Sequence, residues 1–216
     1  MNNVGLRVSN IKKVFQRRAI LSGINISLSN SRSFAITGRN GSGKSTLMKI
    51  IAGVLTPTGG DVQITVDGKS IAQNDVYACI GFVAPYFQLY EEFTAWENLD
   101  IARKLRCLTI PDERIDTLIE RVNLTARKHD VVRTYSSGMK QRLKYAHALL
   151  HSPAILLLDE PTSNLDTDGI EIVHQLIQEQ KKNGLVLVAT NVKEELSLCE
   201  AVLDLDTVQL SAKVAS

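Results

Sequence analysis

At 216 residues the chain is long enough to bury a full hydrophobic core, as one large domain or two small ones. Its 44% hydrophobic and 22% charged content is ordinary for a globular chain, so disorder is not the default, and a net charge of +2 predicts no strong attraction to nucleic acid or acidic lipid. Cys79, Cys107 and Cys199 are odd in number and widely spaced, which argues against a disulfide framework or zinc site and fits a reducing cytoplasm.

The first residues, Met1 to Gly5, lack a signal peptide's apolar segment, and no apolar run reaches the length of a membrane span. The chain is therefore expected not to cross a bilayer by itself. Val4–Val8 and Ile24–Leu28 alternate apolar and polar residues, the pattern of short antiparallel strands. Between them stands Phe15, a flat apolar ring and a candidate to stack on a nucleotide base.

The short apolar run Phe34-Ala35-Ile36 leads into Gly38-Arg39-Asn40-Gly41-Ser42-Gly43-Lys44-Ser45-Thr46. Leu47, Ile50, Ile51 and Val54 follow at the spacing of one buried helical face, so a helix is expected through Leu55. Strand, glycine-rich loop and helix in this order satisfy the phosphate-binding pattern G-x-x-x-x-G-K-[ST]. Gly38 and Gly43 let consecutive N–H groups turn inward around a polyphosphate, and the helix start adds partial positive charge. Lys44 is expected to reach the terminal phosphates and the Ser45 hydroxyl to hold Mg²⁺. This predicts a nucleoside-triphosphate site.

Val62–Asp67 alternates again, with Asp67-Gly68 as a hairpin turn, and Ile80–Ala84 reads as a strand stopped by Pro85. The chain then turns helical. Thr94-Ala95-Trp96-Glu97 matches a capping box, Pro111 opens a second helix with Ile115, Leu118, Ile119 and Val122 on one face, and a third follows Ser136-Ser137-Gly138 to about His151. This block reads as a helical subdomain inserted into an α/β core. Among the aromatic residues between Phe82 and Trp96, Phe82, Phe93 and Trp96 are expected in the core, and Tyr86, Phe87 and Tyr90 in a loop as interface anchors.

Ala154–Leu158 is a continuous apolar run, suited to a central strand covered on both faces. Asp159 and Glu160 stand at its end, where open α/β sheets bind ligands. Asp159 suits the Mg²⁺ coordination sphere. Glu160, on the other side of the strand end, suits polarisation of the water that attacks the γ-phosphate.

Tyr135-Ser136-Ser137-Gly138-Met139 stands directly upstream of this strand and Ser163-Asn164-Leu165-Asp166 downstream. With the glycine-rich loop in front, the order resembles the ATP-binding subunits of ABC transporters across nearly the whole chain. The signature there is usually LSGGQ, and the variant here is similar to export-type members. The resemblance implies an α/β fold: a P-loop NTPase with a RecA-like core, an N-terminal antiparallel β-subdomain and an inserted α-helical subdomain. Residues 1–85 and 152–216 would form the core with its antiparallel part, and residues 86–151 the helical subdomain.

The resemblance further implies ATP and Mg²⁺ as cofactors, and a head-to-tail dimer with a second ATP-binding subunit. ATP would lie between one subunit's loop, with Phe15 on the base, and the other's Ser136, Ser137, Gly138 and Met139. Asp166 takes the D-loop position that communicates between the two sites. Integral membrane transporter subunits are the expected partners, with the chain peripheral on the inner face of the cell membrane, in the cytoplasm. A soluble non-transport ABC ATPase and a slow regulatory ATP-binding module are the alternative readings.

Two positions depart from the family. Pro85 stands where a metal-contacting Gln is usual, which leaves Gln88 as a possible metal-site substitute. Asn191, after the apolar run Leu185–Ala189, stands where a switch His is usual. Asn can hydrogen-bond a γ-phosphate but has no acid–base chemistry near neutral pH, so ATP binding with slow turnover is expected.

Overall fold

The computed structural model describes residues 3–29 and 32–208. In chain order its elements begin with β1 (Val4–Phe15), β2 (Arg18–Ser29), β3 (Ser33–Thr37), α1 (Lys44–Ile51), β4 (Gly59–Val66), β5 (Lys69–Ile71), α2 (Val76–Cys79) and β6 (Ile80–Val83). Three helices follow, α3 (Ala95–Leu105), α4 (Asp112–Arg121) and α5 (Ser137–Leu149). The chain then alternates through β7 (Ile155–Asp159), α6 (Thr167–Asn183), β8 (Leu185–Ala189), α7 (Lys193–Ser197) and β9 (Ala201–Asp204).

Two sheets result. The first is antiparallel with order β2-β1-β4-β5. Its β1–β2 turn puts Gln16 and Arg17 at φ of 45° and 66°, the geometry that matches the twist of a two-residue hairpin. The second is parallel with order β6-β7-β8-β3-β9. Each return between its neighbouring strands is a crossover, as parallel pairing requires.

The apolar runs of β7 and β8 are buried throughout because each face of the parallel sheet meets its own core. Ile155, Leu157, Leu185 and Leu187 face a cluster shared with α1 and the antiparallel sheet, which supplies Leu6, Ile11, Ile24, Leu47 and Ile51. Leu156, Leu158, Val186 and Val188 face a second cluster with Leu99, Ile115, Leu143 and Val173 from the helices. Side-chain alternation then decides where the next residue points. Asp159 continues the series of Ile155 and Leu157, so its carboxylate lies on the α1 side.

Most helix boundaries match the sequence pattern. Thr94 caps α3 with a reciprocal bond to Glu97, and Ile115, Leu118, Ile119 and Val122 are buried together. Phe82 and Trp96 pack against the two cores as expected. Two expectations fail. The helix after the glycine-rich loop does not reach Leu55. Gly53, at φ 73°, takes the left-handed position just past its end, and Val54 leaves the helical face with 69% of its surface exposed. Phe93 is not core either. It lies at the surface, its ring edge-on to Tyr90 with centroids 6.2 Å apart.

Candidate nucleotide site at the carboxyl edge of the parallel sheet

Strand register brings distant segments into one row. Asp159 of β7 and Ile36 of β3 both pair with Ala189 of β8. The glycine-rich loop, which begins two residues after Ile36, therefore leaves the sheet beside Asp159 and two residues from Asn191. Sheet edges of this kind are where open α/β folds bind ligands.

The loop is tightly built. Gly43 has φ 105°, and a Cβ there would come within 2.8 Å of the Leu21 side chain and 3.3 Å of the Ile20 carbonyl. Only glycine meets both conditions. Lys44 is buried, its ammonium donating to the carbonyls of Gly38 at 2.5 Å and Arg39 at 3.3 Å. The Arg39 N–H is held by Asp206 at 2.7 Å, and the largely exposed arginine side chain pairs with the same carboxylate at 3.4 Å. Phe15, Asn40, Gly41, Gly43 to Thr46 and Glu160 line one open cleft of about 350 Å³. Ser42 is buried under the loop, against the Cβ position of Gly38. Phe15 sits at the tip of β1, half-exposed, with the Lys13 ammonium 4.9 Å from its ring centroid.

Asp159 is fully buried, with no hydrogen bond of normal geometry to either carboxylate oxygen among the described residues and the Ser45 side chain as a weak donor toward it. Burial raises its pKa above the ordinary carboxylate value. The Ser45 side chain and the charges of Lys49 and Lys44 pull it back, and Glu160 pushes it further up. A buried carboxylate so poorly satisfied is costly unless a cation or its water completes it. Among the described residues no three His, Cys, Asp or Glu side chains converge on a metal position. A divalent ion at Asp159 and Ser45 would thus need phosphate oxygens and water for its remaining shell, as Mg²⁺ commonly does.

Glu160 is exposed and strained, at φ 52°. Its N–H donates to Ala189 at 2.9 Å, and the turn after it is clamped from both sides. The buried Tyr145 hydroxyl donates to the Pro161 carbonyl at 2.8 Å, with the Gln141 amide at 3.5 Å. Buried Glu195 accepts from the Thr162 N–H at 3.2 Å and from its hydroxyl. Nothing in the sequence singles out Tyr145 or Glu195. Tyr145 reads as one more core residue of α5, and Glu195 as an ordinary acidic residue in the first turn of a short helix.

The Tyr135–Met139 stretch lies elsewhere. Ser136 caps α5, accepting from the Met139 N–H at 3.2 Å. Gly138 approaches the Asn164 carbonyl, which a Cβ would meet at 3.3 Å. Ser137 lines a second cleft of about 510 Å³ with Gln88, Lys140, Ser163 and Asn164. Glu160 borders both clefts. Gln88 thus faces the cleft of Ser137, while the neighbouring loop residue Tyr86 is the one that feels Asp159. Burial and the Asp159 charge push the Tyr86 phenol up to about 12, and the Lys49 ammonium lies 3.9 Å from its ring centroid. Asp166 caps α6 through the Gly169 N–H at 2.9 Å. Asn191 bridges back to the loop, its amide donating to Asn40 at 3.3 Å and its oxygen accepting from the Thr37 hydroxyl at 3.4 Å.

The chain is similar to known proteins in sequence and in fold. Residues 21–163 match the ABC transporter family. The uncharacterized ABC transporter ATP-binding protein YdbJ of Bacillus subtilis is 35% identical over 97% of the chain and 69% of its own length. The lantibiotic transport ATP-binding protein SrtF of Streptococcus pyogenes is 32% identical over 88% of the chain and 82% of its own. The fold superposes on the ATP-binding cassette MJ0796, solved as a dimer with ADP and Pi, with a TM-score of 0.81 at 24% identity, covering 92% of this chain and 93% of that one. The chain therefore belongs to the ABC transporter family, as one of the ATP-binding cassettes that form its ATPase class.

Proposed function

We propose that the chain is the ATP-hydrolysing subunit of an exporter, pairing head to tail with a second cassette around ATP and acting on separate membrane subunits. One observation carries the pairing. Ser137, in the first turn of α5, opens on a different cleft from the one lined by Phe15 and residues 43–46. The N–H groups at that helix start suit a phosphate, yet their own chain does not turn them toward the loop. A second copy would bring them there, and ligand binding would drive the association. Asp166 would then lie at the junction of the two copies.

Within one copy, the inward N–H groups of the glycine-rich loop and Lys44 would grip the β- and γ-phosphates, and the Phe15 face would cover the base. Ser45 and the buried, poorly satisfied Asp159 fit Mg²⁺, which when bound would neutralise charge developing between the β- and γ-phosphates. Glu160 would accept the proton of the attacking water, its aim set by the clamped Pro161–Thr162 turn. Gln88, facing the cleft shared by Ser137 and Glu160, could reach the metal shell from that side. Export is favoured by the signature variant and by a relative named for lantibiotic transport. We divide the chain as a core of residues 1–85 and 152–216 and a helical part of residues 86–151. Its membrane association would come through its partners, since among the described residues no helix is long and apolar enough to cross a bilayer.

The pairing has a direct test. Gly138→Asp places a charge and a side chain where Asn164 already crowds the helix start. Nucleotide binding by the monomer should persist, while ATP-driven pairing in sedimentation should disappear. Pairing that survives Gly138→Asp would refute the arrangement.

Asn191 favours slow turnover. It already bridges Asn40 and Thr37 beside the loop, but its amide cannot take or give a proton near neutral pH. Asn191→His should raise steady-state ATP hydrolysis by about tenfold or more, since positioned acid–base groups contribute on the order of 10²–10⁴-fold. Equal phosphate release by both proteins would remove this assignment.

A further inference from the structure

The charged side chains lining the cleft that Glu160 shares with Ser137 are Glu91, Lys140, Lys144 and Glu160 itself. Lys140 and Glu91 neutralise one another, ammonium to carboxylate at 2.5 Å. Neither Lys144 nor Glu160 forms an ion pair among the described residues. A surface lysine ordinarily extends its ammonium into water. Lys144 instead turns it inward.

The side chain is half-buried on α5, and its ammonium donates to the Pro85 carbonyl at 3.1 Å and to the Ala84 carbonyl at 3.5 Å. Burial pushes its pKa below the ordinary value, and no carboxylate opposes that shift. Ordering a long side chain against two backbone oxygens also costs rotamer entropy. The carbonyls it holds belong to the turn that follows β6. The Phe87 N–H closes that turn on the Ala84 carbonyl at 3.1 Å, and the Phe87 ring packs on His147 of α5 with centroids 4.7 Å apart. Pro85 has neither an N–H nor a polar side chain with which to fix the turn itself. Lys144 and His147, three residues apart on one face of α5, therefore seat it from outside. The next residue, Gln88, is delivered to the cleft that Glu160 borders.

Resting on the reading of Glu160 as the base, we propose that Lys144 is a positioning residue for ATP hydrolysis: its ammonium, docked on the Pro85 and Ala84 carbonyls, holds Gln88 in the cleft where Glu160 acts. Lys144 works through the turn and not on the nucleotide, since it lines none of the cleft formed by Phe15 and residues 43–46. Its loss should therefore slow the chemical step and leave binding alone.

The test compares Lys144→Met, which keeps the apolar stem and loses the donors, with Lys144→Arg, which keeps charge and donors, in steady-state hydrolysis by the full chain. Lys144→Met should lower kcat by about 10- to 100-fold with KM within about twofold of the parent, and Lys144→Arg should recover most of that loss. In a Gln88→Ala background Lys144→Met should add little, because both changes act through one turn. An undiminished kcat in Lys144→Met would overturn the proposal. So would a KM that rises as kcat falls, equal losses in the Met and Arg variants, or full additivity with Gln88→Ala. If Lys144→Met melts below the assay temperature, the same pattern is required of Lys144→Gln. Glu160→Gln measured alongside keeps the two readings apart. Hydrolysis at the parent rate in Glu160→Gln would sink the base assignment, whereas an inactive Glu160→Gln beside a fully active Lys144→Met would sink the role of Lys144 alone.

Discussion

Glu160→Gln should lower ATP hydrolysis by about 10²–10⁴-fold, the span of positioned general-base catalysis, while leaving nucleotide affinity within a few-fold of the parent. The two side chains are nearly isosteric, so the change isolates proton acceptance from shape. Backbone geometry supports the contrast. The left-handed Glu160 backbone is held by the Ala189 carbonyl at 2.9 Å and by the clamped turn, none of which involves its carboxylate. The amide should therefore stand where the acid stood. With hydrolysis blocked, Mg-ATP should drive the chain into persistent pairs, because the ligand joining the copies is no longer consumed. Phosphate release measures the first effect and sedimentation the second. Monomers that neither hold ATP nor pair would contradict the whole reading.

Asp159→Asn should abolish Mg²⁺-dependent hydrolysis to a similar depth and yet stabilise the nucleotide-free protein, by on the order of 1 kcal/mol. Both effects follow from one environment. The carboxylate is buried among apolar strands with only the Ser45 side chain as a weak donor, so its charged form is costly until a cation arrives. Its folded pKa lies above the unfolded value, so the folded state binds the extra proton, and stability falls as pH rises through that interval. At neutral pH the parent carries the full cost and the amide none. Towards about pH 4 the parent is increasingly protonated and the advantage of the amide should shrink. Thermal melts at both pH values, with and without Mg-ATP, give the comparison. Loss of stability at neutral pH in Asp159→Asn would mean that the site is satisfied in a way this geometry does not account for.

The two substitutions act on adjacent residues and separate because a strand alternates. Asp159 follows Leu157 onto the α1 face and is enclosed there. Glu160 leaves the strand through a left-handed turn and stays in solvent. One position is therefore suited to a metal shell and the other to a mobile water. Burial thus gives two adjacent carboxylates two different environments.

Much of this was legible in the chain itself, where local chemistry dictates local structure. The glycine pattern, the capping box at Thr94 and the unbroken apolar run before Asp159 each carry their structural consequence within a few residues. Val54 and Phe93 show the limit of such reading. Periodicity put Val54 on a buried face, but Gly53 ended the helix first, and Phe93 had aromatic character without a core to enter.

Tertiary structure alone decided what depends on register between strands far apart in sequence. It put Asn191 against Asn40, set Tyr86 beside Asp159 and Lys49, and closed the Pro161–Thr162 turn with Tyr145 and Glu195. It also brought Lys144 of α5 against the carbonyls that follow β6, in the cleft that Glu160 borders. Composition and spacing specify which groups a chain owns and which elements carry them. Their partners are chosen by parallel pairing and close packing, which act between segments that no sequence window spans.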